Sequence, residues 1–387
     1  MKKRLVNRSI HISGSCSPES DRNTIVFSHL VVKNVTRLIL ENGGNIVSSV
    51  GKKPTINGKS DSPSIIFDWD VLDEIYAFAE NSDFSDDVKN IAKVIATSKS
   101  LSKIPKDREN MWQELIKNGI VSIFRIPYGW NSGAVRRRVI ETQSDALISI
   151  GGGEGVEHIA ELFSLNNKPI VPLNMPVGSS CNDGKGGSLF LSNKFLSNPK
   201  KFVPNVNDEI VAKYTLLDYN SCNKDPEKYA SIIADFLCEV IKPQVFFVRL
   251  LNKEDTCCEK VNNFFKEIIV PFVRDKNLFI KDTKISKIEE GFLNVEIIKN
   301  INKSKFVVVD LTSLRPNCLF EMGYAFGLKK KVIVTAINGT KLPFDTNSIP
   351  CFFWNPKEIN SDLKNEFEEF WNKKIQRRPL ISEEGII

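Results

Sequence analysis

The run Ala146–Ile150, ALISI, stops abruptly in Gly151-Gly152-Gly153-Glu154-Gly155, and apolar residues then return at Val156, Ile159, Ala160, Leu162 and Phe163. A strand that is apolar on both parities must be covered on both faces, while spacings of three and four residues describe a helix with one buried side. With the strand PIVPLN that follows, the segment reads strand, glycine turn, helix, strand. Few architectures accept that unit, and the main one is a parallel sheet with helices on both sides.

The unit recurs. Near the start SIHIS, Ser9 to Ser13, runs into Gly14-Ser15 and the polar loop CSPESDRN before a helical pattern from Ile25 to Glu41. Gly43-Gly44 ends that helix and NIVSSVG follows as a β-branched strand. Strand, small-residue turn and helix open a Rossmann-like unit. The middle reads as helices over Trp69–Phe78, Asp87–Ser98 and Met111–Asn118, then the strand VSIFRIP, the turn PYGWNSG and a helix carrying Val135 to Glu141. After a Gly-, Ser-, Asn- and Lys-rich stretch at 174–204 come two helical patterns, the second at Lys228–Ile241. The alternation then restarts. Gln244–Arg249 opens on a buried-strand run and a helix spans Cys257–Val270; Phe279-Ile280 is a brief strand and Val295–Asn302 a helix. FVVVD, Phe306 to Asp310, is the most β-branched run of the chain, and it precedes a helix at Leu319–Leu328 and the strand KVIVTAI, Lys331 to Ile337. The fold class is therefore α/β with two doubly wound parallel-sheet domains, as 387 residues also suggest. The expected organisation is an N-terminal domain over 1–205, a helical connector over 206–242 and a C-terminal domain over 243–387.

Composition removes several functions. The 53 basic and 47 acidic residues are interspersed and leave a net charge of +6, so nucleic acid is not required as a partner. The densest basic spot is Arg136-Arg137-Arg138. Eight cysteines show no C-x-x-C pair and no histidine at zinc spacing, which argues against a metal site or a disulfide framework and fits the cytoplasm. No stretch approaches the roughly 18 apolar residues of a membrane span, so a soluble protein without a membrane partner is expected.

Asp310 closes a buried strand, and Glu321 lies about one turn into the next helix. Such a pair suits sugar chemistry, because a carboxylate beneath an anomeric carbon stabilises or traps the oxocarbenium ion that forms when an N-glycosidic bond breaks. Asp310 would then hold ribose hydroxyls. Spacing is equally consistent with Asp310 as a turn cap and Glu321 as a surface acid. Tyr324 reads as core. The ordered series Asp310-Leu311-Thr312, Arg315-Pro316-Asn317, Phe320-Glu321-Met322-Gly323-Tyr324-Ala325 and Leu342-Pro343-Phe344-Asp345 resembles the nucleoside 2-deoxyribosyltransferase-like group and its TIR-like relatives over about residues 243–356. That resemblance implies a flavodoxin-like fold, Glu321 as nucleophile, Glu296 as an assisting acid, and a substrate site that includes Asn317, Gly323, Phe247 and Arg249. Members act on deoxynucleosides, nucleotides or NAD, so NAD enters as substrate and no cofactor is implied.

In the N-terminal part, Ser13-Gly14-Ser15 and Gly151-Gly152-Gly153 with Gly155 offer main-chain N–H groups and a helix start to a phosphate. Together with Arg136, nine residues before Asp145, they resemble the SLOG superfamily over roughly residues 8–200. It includes lonely-guy-type phosphoribohydrolases and the ligand-sensing domains of bacterial antiphage effectors. The hydrolases end their glycine motif in a glutamate; here Ile159 occupies that position and Val156 that of the motif's threonine. Glu157 and Glu161 lie roughly 200° from it on the helix. The resemblance thus implies a domain that binds a nucleotide through Arg136 and does not cleave it. His158 reads as an ordinary surface residue, and His11 and His29 as structural.

The combination points to an oligomeric antiphage effector. A nucleotide signal, such as a cyclic ADP-ribose-like molecule, would occupy the N-terminal cradle, and Glu321 would cleave NAD or a related nucleotide. An unregulated salvage deoxyribosyltransferase or hydrolase and a non-catalytic sensor are the alternatives.

Overall fold

The structure, a computed structural model, describes residues 3–6, 8–56, 62–178, 186–203, 206, 208–217, 225–276, 278–282, 293–343 and 349–376. It divides into two compact units, Met1–Ile241 and Lys242–Ile386. Each unit is α/β and built on one parallel sheet.

In the first unit, strands β1 (Ser9–Ser15), β2 (Asn45–Ser49), β3 (Ala92–Ala96), β4 (Val121–Arg125), β5 (Ala146–Gly151) and β6 (Ile170–Pro172) form a sheet in the order β4-β3-β2-β1-β5-β6. The chain winds outward from β1 to β4, then returns to continue on the other side of β1. The reversal places a crevice at the carboxyl ends of β1 and β5, where Ser15 pairs with Gly151. Helices cover both faces because strands such as β5 are buried at every position.

Two expectations change here. The stretch Asp87–Ser98 is not a helix but a short 3-10 turn followed by β3. Ile91, Ala92, Val94, Ile95 and Ala96 satisfy helical spacing and a doubly buried strand equally, and pairing with both β2 and β4 decides for the strand. The segment expected as a connector is part of the first unit. Helix Pro226–Val240, capped by Asp225, buries Tyr229, Ala230, Ile233 and Leu237, and Tyr229 meets Phe27 of helix Arg22–Glu41 edge-on at 5.7 Å.

In the second unit, β7 (Gln244–Val248), β8 (Phe279–Asp282), β9 (Phe306–Asp310), β10 (Lys331–Ile337) and β11 (Cys351–Trp354) are ordered β11-β10-β9-β7-β8. This is the doubly wound order with its reversal between β7 and β9. The pleat separates two cores: Val245, Phe247, Phe306 and Val308 face Phe264, Phe265 and Trp354, whereas Phe246, Val248, Val307 and Val309 face Cys318 and Met322. Between Cys258 and Asp275 the helix contains a π-helical turn, Phe265–Ile269. Among the described residues no helix is long and apolar enough to cross a membrane.

Candidate functional site

The crevice of the first unit is a cleft of about 290 Å³. Seven of the eight residues expected to hold a signal ligand border it: Ser13, Gly14, Ser15, Arg136, Gly152, Gly153 and Gly155. Gly151 stands behind them, at the end of β5, with φ +55° and no room for a Cβ beside the Ser15 carbonyl. A Cβ on Gly14 would lie 1.8 Å from the Ile150 carbonyl oxygen, so only glycine lets β1 and β5 approach at this point. The helix Glu154–Leu165 starts at Gly153 with no side chain capping it, which leaves its first N–H groups open at the cleft floor.

Arg136 enters from helix Ser132–Gln143. No hydrogen bond or ion pair engages its guanidinium among the described residues, whereas neighbouring Arg137 donates to Nδ1 of His158 at 3.0 Å. The surface role expected of His158 thus becomes one of holding Arg137. Ile159 and Val156, at the positions of the missing glutamate and threonine, do face this cleft, and Ile159 is 1% exposed. Glu157 is turned away and accepts from the Gly187 N–H at 2.8 Å.

Two wall residues were not anticipated. Asp68 begins helix Asp68–Glu80, and His11 lies in β1. No motif marks Asp68; it reaches the cleft because the Cys16 N–H donates to the Ile65 carbonyl and Ser15 bridges Ile66, drawing a distant loop across the end of β1.

In the second unit the expected residues are not gathered. Glu321 sits on helix Pro316–Gly327, on the shoulder beside the buried stripe Cys318, Met322 and Ala325. It is half-buried, and desolvation pushes its carboxyl up to about 7. Asn317 is one turn earlier on the same side, exposed, and Gly323 is exposed with open space around it. Asp310 does not join them. It is 2% exposed and belongs to the other parity of β9, where Oδ1 accepts from the Thr312 N–H at 3.1 Å and Oδ2 from Thr335 Oγ1 at 2.8 Å and Trp354 Nε1 at 3.3 Å. Its acceptors serve the fold, so the role of holding ribose hydroxyls is replaced by a structural one; burial raises its carboxyl against these hydrogen bonds.

Phe247 is buried, edge-on to Phe265 at 5.1 Å, on the sheet face opposite the Glu321 helix, and borders with Arg249 a cavity away from Glu321. Arg249 pairs with Asp282 at 2.6 Å, donates to Asn262 and stacks on Phe265, lining that cavity of about 490 Å³. Glu296 is exposed on helix Leu293–Lys303. The loop before Glu321 is strained at Leu314, a non-glycine residue with φ +46°, and is held by Arg315 to Asp255 at 3.1 Å. Phe344 and Asp345 of the resembling series lie outside the described residues.

A doubly wound sheet with glycine turns, an open helix start and an unpaired arginine at its reversal point defines an α/β protein with a nucleotide-type cradle. The model of the family described as ATP nucleosidase Cap17-like, N-terminal, matches residues 5–215, and the chain belongs to that family. It is 24% identical over 344 residues to the ATP nucleosidase Cap17 of Escherichia coli strain KTE188, an alignment covering 85% of this chain and 66% of the relative. A second Escherichia coli protein of the same name matches with the same identity and coverage. The chain thus spans slightly less than two thirds of the relatives' length.

Proposed function

We propose that this protein is a nucleotide-acting N-glycosidase of bacterial antiphage defence, in which the N-terminal cleft binds a nucleotide and Glu321 breaks the glycosidic bond. One observation carries the reading: an unpaired Arg136 and the glycine turns converge on a cleft in which Ile159 replaces the acid that hydrolysis would need. Such a cleft binds without cleaving, and the chemistry falls to a carboxyl elsewhere. Glu321 suits it, being desolvated enough to exchange a proton near neutrality. The name of the relatives makes ATP the first substrate to test, and the resemblance of the second unit keeps NAD beside it. The defence setting follows from the resemblance to antiphage effectors.

The test is incubation of the purified chain with ATP, NAD and deoxynucleosides, with and without cyclic ADP-ribose, while released base is followed by chromatography. Base release lost in Glu321→Gln is expected; turnover surviving in that variant defeats the assignment. A second reading, a nucleotide sensor without catalysis, is favoured by the isolation of Glu321 from Asp310. Tight nucleotide binding with no product across the panel selects it.

A further inference from the structure

The cleft of the first unit holds opposite charges that do not meet. Arg136 and Asp68 both border it, and among the described residues neither makes a hydrogen bond or ion pair with the other or with any other group. Their fields nonetheless overlap, since Arg136 acts on the Asp68 carboxyl and on His11. The space between them is therefore suited to a ligand with an anionic end and a donor end.

Asp68 is fixed in place. Trp69, its neighbour, is buried and donates from Nε1 to the Gly51 carbonyl at 3.2 Å, and Ile66 on the other side is bridged to Ser15. Asp70, also in the first helical turn, is already used by His29 at 2.6 Å and Lys33 at 3.7 Å. Burial raises the Asp68 carboxyl, Arg136 opposes this and Asp70 adds to it.

His11 supplies a second acceptor. It is 4% exposed, and burial holds its pKa down to about 4, so the ring is neutral near pH 7. Nδ1 lies 2.7 Å from the Val47 carbonyl oxygen, which can only accept. The ring proton therefore sits on Nδ1 and Nε2 keeps its lone pair, with no partner among the described residues.

We infer that this cleft recognises the ribose of a ribonucleotide, with Asp68 and His11 accepting from the vicinal hydroxyls while Arg136 and the Gly152–Gly155 turn hold the phosphate nearest the sugar. The inference rests on the proposed nucleotide occupancy of the cleft and adds its specificity. Size supports it. At about 290 Å³ the cleft falls just below the roughly 300–1,000 Å³ usual for ligand sites, so a sugar phosphate fills it and the base extends outward. Vicinal hydroxyls are two donors on adjacent carbons, matching two acceptors; a 2′-deoxyribose offers one and leaves an acceptor desolvated without a partner.

The experiment is calorimetric titration of the full chain carrying Glu321→Gln, which limits ligand consumption, with ATP, 2′-deoxy-ATP and 3′-deoxy-ATP. ATP is expected to bind on the order of 10-fold or more tightly than either deoxy analogue. Asp68→Ala, which removes the acceptor, should weaken ATP and bring the three affinities to within about threefold of each other, with thermal melting confirming the fold. Equal affinities for ATP and its deoxy analogues overturn the inference, and this comparison needs no substitution at Asp68. An unchanged preference in folded Asp68→Ala overturns it as well. Binding of none of the three removes nucleotide occupancy itself, an outcome distinguishable from binding without discrimination.

Discussion

A carboxyl raised to about 7 by burial alone makes Glu321 the residue whose protonation state is easiest to read out. As a nucleophile it must be ionised, so the rate of base release should rise with pH through about 7 and then level; a fall over that range would identify it as a general acid instead. Stability should move the other way. The folded state holds the proton more tightly than the unfolded chain, whose carboxyl titrates near 4.5, so this contribution is complete below that pH and is lost as pH rises through about 7. Glu321→Gln, neutral throughout, should therefore gain in melting temperature over the parent at pH 8 and gain little at pH 4. Arg136→Ala should weaken nucleotide binding by about 10- to 100-fold, as loss of a charged hydrogen-bond donor does. Arg136→Lys should recover only part, because an ammonium lacks the planar fork that meets phosphate.

Elements decide which carboxylates stay accessible and which hold the fold. Asp310 ends β9 and ties it to β10 and β11 through Thr335 and Trp354. Asp310→Ala removes the acceptor of the buried Thr335 hydroxyl and Trp354 indole N–H and of the part-buried Thr312 N–H, and should cost roughly 2–3 kcal/mol in chemical denaturation, while base release per folded molecule stays unchanged. Gly14→Ala should be comparably harmful to the first sheet, since its Cβ would collide with backbone that cannot swing aside. The strands of both sheets were legible where apolar residues fall on both parities, as in FVVVD and ALISI, and so were the glycine turns that end them. β3 was not, because its apolar spacing satisfies two periods at once, and β11 is only the four residues CFFW. Within the site, Arg136 and the turns could be read because a local motif carries them. Asp68 could not, since a loop bridge and not a sequence spacing brings it to β1. Asp310 and Glu321 read as one pair because their separation in sequence is short; the strand pleat sends them to opposite faces.

At the level of the whole molecule, each unit repeats one device: a parallel sheet whose winding reverses and leaves a crevice at the carboxyl ends of its central strands. The first crevice is bordered by glycine turns and an unpaired arginine, and the helix that follows the second carries a desolvated glutamate after a strained loop. One feature of the first unit makes its ligand response observable without a label. Four of the five tryptophans, Trp69, Trp112, Trp354 and Trp371, are buried, while Trp130 is 99% exposed and stands two residues before the helix that carries Arg136. Iodide should quench Trp130 and spare the rest, and Trp130→Phe should abolish the quenchable emission. If a bound phosphate draws Arg136 and its helix inward, ATP should change that fraction in the parent chain and leave it unchanged in Arg136→Ala. The chain thus carries an optical reporter just ahead of the helix that would first feel a ligand, which separates occupancy of the cleft from any bond broken afterwards.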